Sequence, residues 1–115
     1  MAQREIFLFG VPRILVDGVE RQLARRKSVA LLAYLGVTQR RHRRETIAAL
    51  LWPDADRAGG LVNLRQCLGD IRRVAGEGML RESREWLQID PNVWVDVPHF
   101  EASLTSGELP QLTEA

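Results

Sequence analysis

A chain of 115 residues and 13.0 kDa is the size of one domain, so a single compact core is expected and two are not. With 45% hydrophobic and 27% charged residues the composition is globular, which argues against disorder and fibre, and 16 Lys+Arg against 15 Asp+Glu leave a net charge of +1 that selects no partner. The single cysteine, Cys67, excludes an internal disulfide and a Cys-based zinc site, and the longest uncharged run, Ser28 to Gln39, is far short of a membrane span.

In chain order, the first signal is Ile6-Phe7-Leu8-Phe9, Gly10, then Val11 to Val16, Asp17-Gly18 and Val19. Asp-Gly between apolar runs marks a hairpin, because both residues tolerate positive φ, and a small N-terminal antiparallel sheet is predicted. Met1 to Glu5 has no apolar signal core, so a soluble, cytoplasmic protein is expected. Ala24 to Val37 is predicted as a helix. Its run Val29 to Leu35 is apolar nearly all round and reads as a buried spine. Glu45 to Leu51 is a second, shorter helix stopped by Trp52-Pro53, since the residue before proline is pushed out of the α region. Asp54 and Asp56 are candidate caps for a third.

The third helix, Ala58 to Ala75, carries the clearest pattern. Leu61, Leu64, Leu68, Ile71 and Ala75 recur at spacings of three and four and form one narrow apolar stripe. Opposite that stripe lie Val62, Gln66 and Arg73, flanked by Asn63, Gly69 and Asp70, and Gly76 and Gly78 end the helix. Met79 to Glu82 and Trp86 to Ile89 then alternate about a turn at Ser83-Arg84-Glu85, a predicted hairpin. Val93-Trp94-Val95 adds a short strand. From Val97 to Leu104 a further helix is expected to begin, and Thr105 to Ala115 has no core of its own.

Charge is unevenly placed. Residues 1–75 hold fourteen basic and seven acidic side chains, residues 76–115 two basic and eight acidic. Arg21 to Arg44 alone contains eight basic residues and no acid, the footprint that polyanions bind. The order strands, helix, helix, helix, hairpin, with a one-sided polar third helix, predicts an α+β fold of winged helix-turn-helix type. In that arrangement the third helix enters the DNA major groove and the hairpin, or wing, touches the adjacent backbone or minor groove.

Four spaced blocks then become familiar: Arg26-Lys27-Ser28-Val29-Ala30-Leu31-Leu32-Ala33-Tyr34-Leu35; Leu50-Leu51-Trp52-Pro53-Asp54; Asn63 to Arg73; and Asp96-Val97 with Phe100. Over roughly residues 5–100 they resemble the OmpR/PhoB-type winged helix at the N-terminus of SARP-like bacterial transcriptional activators. The resemblance implies a regulator binding direct repeats upstream of a promoter, contacts with RNA polymerase subunits, and pairing on DNA through downstream domains. It divides the chain into a winged-helix DNA-binding domain, 1–97, and a linker or truncated start of a helical activator domain, 98–115. Two departures stand out: the run Arg40-Arg41-His42-Arg43-Arg44 puts positive charge at a helix N-terminus already positive by its dipole, and Asp70 stands where the family is frequently basic.

The site residues follow from side-chain chemistry. Asn63 and Gln66 suit bidentate recognition of adenine, Arg73 suits guanine or phosphate, and Asp70 would accept from a cytosine amino group. Arg40, Arg41, Arg43 and Arg44 repel one another without an anion and are assigned to phosphates, with Arg26 and Lys27 beside them. Ser83 and Arg84 form the wing tip, between Glu82 and Glu85, whose charge dilutes its attraction for DNA. Trp52, Trp86 and Trp94 read as packing residues and Cys67 as a buried, inert thiol. His42 and His99 lack ligand-like spacing, so no metal and no cofactor is expected. No Gly-rich phosphate loop, Gly-x-Ser-x-Gly or catalytic carboxylate pair supports an enzyme. The rival reading is a winged helix that binds protein and no specific DNA, favoured by Asp70 and the acidic C-terminal part.

Overall fold

The computed structural model describes residues 3–8 and 10–96, so the expectations for residues 97–115 lie outside the described part. The fold is α+β, with three helices and two small sheets among the described residues. Strands β1 (Arg4–Phe7), β2 (Arg13–Val16) and β3 (Val19–Arg21) come first, followed by α1 (Arg26–Thr38), the two-residue β4 (His42–Arg43), α2 (Arg44–Leu51) and α3 (Arg57–Ala75). The hairpin β5 (Leu80–Glu82) and β6 (Trp86–Ile89) and the short β7 (Trp94–Val95) complete it.

β2 and β3 pair antiparallel with Val16 opposite Val19, leaving Asp17 and Gly18 as a two-residue turn. Both have positive φ, 53° and 80°, as a turn matching the strand twist requires, and this is the turn that the Asp-Gly pair predicts. β7 lies parallel to β1, giving the order β3-β2-β1-β7, whereas β4 joins the hairpin as β4-β6-β5. Neither long-range pairing was foreseen from the sequence. β4 is only two residues inside an arginine run, and its strand character comes from its partner.

The helices form where expected, with shifted ends. α1 begins two residues later than predicted, because the N–H groups of Ala24 and Arg25 are captured by the Asp70 carboxylate while Arg25 stays extended. It is not a spine buried all round: Leu31, Leu32 and Leu35 are buried, but Ala30 and Val37 face outward. α2 stops at Trp52 before Pro53. α3 is capped by Asp56, whose side chain accepts from Gly59 N at 2.7 Å, and Asp54 takes no part in the cap. At Gly60 the backbones of α2 and α3 come close, for a Cβ there would sit 3.3 Å from the Ala48 methyl.

The core is one cluster. Leu31, Leu32 and Leu35 meet Ile47 and Leu51 of α2, Leu64, Leu68 and Ile71 of α3, and Leu87 and Ile89 of the hairpin, while Ile6, Ile14 and Val95 close it from the first sheet. Each fully buried aliphatic side chain contributes about 1.5–3 kcal/mol, so these contacts set the orientation of α3. Among the described residues no helix is long and apolar enough to cross a membrane.

Candidate nucleic-acid interface

Packing decides which side of α3 is presented. The buried residues are Gly60, Leu64, Cys67, Leu68, Asp70, Ile71 and Ala75. At 3.6 residues per turn this face is turned by about 45° from the Leu61–Ala75 stripe, because Cys67 enters the core while Leu61 stays half-buried at its margin. The outward face accordingly carries Ala58, Val62, Arg65, Gln66, Gly69 and Arg73. Arg65 was missed from the sequence. Counting Cys67 and Val74 as apolar would have rotated the stripe and revealed it.

Asp70 requires correction. It is 5% exposed, and its carboxylate faces the entry of α1, where Oδ2 accepts from Ala24 N at 3.0 Å and from Arg25 N at 3.1 Å. Burial alone would raise its pKa. The Ser28 hydroxyl, which faces the carboxylate without an ordinary hydrogen bond, the two backbone N–H groups and Arg73 overcome that and hold it below the usual carboxylate value. Asp70 is thus a structural anion, buried against the entry of α1 and not presented on the exposed face of α3. Asn63 is half-buried at the flank, Gln66 is exposed, and the exposed Arg73 pairs with Asp70.

The basic cluster divides into two kinds. Arg44 is half-buried: its Nε donates to the Ser83 carbonyl at 2.8 Å and its Nη2 lies 3.3 Å from Glu82. Lys27 donates to the Leu51 carbonyl at 2.6 Å, closing the C-terminal end of α2. Arg41 stacks over the Trp86 ring at 4.2 Å. These three side chains make contacts within the fold, Arg44 half-buried, Lys27 and Arg41 with exposed surface remaining. Arg26, Arg40, Arg43, Arg65 and Arg84, by contrast, make no ion pair with a described residue.

The hairpin is fastened to the helices. Arg72 of α3 reaches Glu82 through Nη2 at 2.5 Å and Nε at 3.2 Å, so Glu82 joins α3, the start of α2 and β5. Its charge is thereby paired with two guanidiniums, while Glu85 remains beside the tip. At the turn, Ser83 Oγ accepts from Glu85 N and Trp86 N, which uses its hydroxyl oxygen internally. Arg84 at the tip is exposed.

Between the start of α2, the first half of α3 and this turn runs a groove of about 290 Å³ lined by Arg43, Arg44, Arg57, Arg65 and Arg84. Glu45 and Glu85 share it, and Glu45 is paired with Arg57. The start of α2 has no side-chain cap, but Arg44 N donates to the Glu85 carbonyl at 2.8 Å, which fixes the turn beside the helix. Arg43, Arg65 and Arg84, which form no ion pair with a described residue, therefore converge on it from β4, α3 and the hairpin turn.

Behind this groove sits His42, buried beside Tyr34, with ring centroids 4.6 Å apart. The Thr38 hydroxyl donates its one proton to the Tyr34 carbonyl at 2.8 Å, so its oxygen accepts from His42 Nε2 at 2.6 Å. Burial, with Arg40 nearby, lowers the His42 pKa below 6.5 and keeps the ring neutral. Comparison with protein-family models, curated proteins and solved structures found no match to this chain.

Proposed function

We propose that this chain binds double-stranded DNA with sequence preference, as the N-terminal winged-helix domain of a bacterial transcriptional regulator of the OmpR/PhoB-like kind. The observation that carries the reading is the convergence of Arg43, Arg65 and Arg84 on one groove beside the exposed α3 face that bears Gln66. In this reading α3 lies in the major groove and the β5–β6 hairpin is the wing. A phosphate strand running along the groove supplies counter-charge to three clustered guanidiniums that form no ion pair with a described residue. Gln66 is the bidentate reader, and Gly69, outward-facing with open space around it, lets the backbone approach the bases. Arg26 and Arg40 extend the positive field at the periphery.

The rival reading, a protein-binding winged helix, draws on Val62, which is 45% exposed on the same face. Val62 is the one large apolar side chain exposed on α3 among the described residues, and a single such residue is ordinary surface. Selection of duplexes from a random DNA pool at about 0.15 M salt, where weak electrostatic binding is suppressed, tests the proposal. Enrichment of a short motif supports it, and no retention even at lower salt overturns it in favour of the rival.

A further inference from the structure

We propose that the cavity between the first sheet and α1 is the docking site of the chain's own segment 97–104, with Phe100 as the side chain it receives. The cavity, about 230 Å³, has an apolar floor that includes Ile6, Ile14 and Leu32 and a rim that includes Val11, Arg13 and Arg21. At this rim Val11 is 80% exposed, and Arg13 lies over the Phe7 ring. A site on the order of 150 Å³ holds a benzene ring, so one aromatic side chain fits here.

Two observations identify the occupant. First, Asp96 Oδ1 accepts from Leu8 N at 2.8 Å, and Leu8 lines the cavity, so the chain enters segment 97–104 at the cavity's edge. Phe100 is four residues beyond Asp96, a reach of up to about 14 Å of chain. Second, residues 97–115 contain three glutamates and no lysine or arginine, while the rim offers Arg13 and Arg21 against Glu20. Arg21 has no ion pair with a described residue, and Glu101 directly follows Phe100. Docking also has a route to α3: Leu23 lines the cavity, and the next two residues donate their N–H groups to Asp70. The proposal does not depend on DNA binding.

The test is nuclear Overhauser spectroscopy on the methyl-labelled 115-residue chain, with amide exchange measured alongside. Contacts from the Phe100 ring to the Val29 and Leu32 methyls are expected, unchanged on dilution. Phe100→Ala should remove them and speed exchange of the Ile14 and Arg21 amides at least tenfold. Glu101→Arg should weaken the contacts and Arg21→Glu in the same chain restore them. Absence of Phe100 contacts in the unmodified chain overturns the proposal, as does their appearance between differently labelled molecules, which would make a second copy the occupant.

Discussion

The Asp70 carboxylate on α3 accepts the backbone N–H of Ala24, at 3.0 Å from Oδ2 and 3.2 Å from Oδ1, at the point where the chain turns into α1. One side chain thereby ties the third helix to the first across 46 residues. Hydrogen bonds to a buried charge contribute about 1.5–3 kcal/mol, and their loss strands the donors. Asp70→Ala should lower unfolding stability by about 3 kcal/mol in urea titration. Unchanged stability with an altered base preference would return Asp70 to the DNA interface.

The same carboxylate sets an acid limit. Its pKa is lower in the folded than in the unfolded chain, so its contribution is present above pH 3.8 and lost as pH falls through the folded value. In an acid titration, Asp70→Asn should lack this component below pH 3.8. An acid transition identical in both chains would count against it.

His42 acts in a higher window with the same sign. Its folded pKa lies below 6.5, so the unfolded chain binds the proton first and stability declines as pH falls below 6.5. Urea midpoints between pH 7.5 and 5.5, where the carboxylates change little, should fall in the unmodified chain and stay nearly level in His42→Gln. A midpoint independent of pH would show that the ring titrates normally.

Glu82 holds the hairpin to both α2 and α3. Glu82→Ala leaves Arg44 and Arg72 without their shared acid and should cost about 1–2 kcal/mol, with faster amide exchange in β5. Exchange confined to its unmodified rates would mean that strand pairing alone fastens the hairpin.

For DNA, the two kinds of contact separate by substitution. Arg43→Ala and Arg65→Ala should weaken binding of all duplexes and each reduce the slope of log K against log salt by about 0.9. Gln66→Ala should cost about 1–3 kcal/mol at one base pair and leave the slope unchanged. Anisotropy titrations over a salt series read both, and a uniform effect of Gln66→Ala on every duplex would remove its role as reader.

The sequence by itself determined the local elements, because their causes are local. Asp17-Gly18 sets a turn by its φ preferences, Pro53 ends α2, Asp56 caps α3, and leucines at spacings of three and four mark one side of a helix. Only the tertiary structure decided how far α3 is rotated and which cations are spent on the fold. The Leu61–Ala75 stripe was legible, and so was Cys67 beside it, but Asp70 entered the buried side through the N–H groups of Ala24 and Arg25, just before α1, which no spacing reveals. Arg43 and Arg44 are adjacent and chemically identical, yet Arg44 is held by Glu82 and the Ser83 carbonyl while Arg43 faces the groove. Periodicity reports a residue's angle on its own helix, whereas the partner it meets depends on chain 38 residues away that only folding brings alongside.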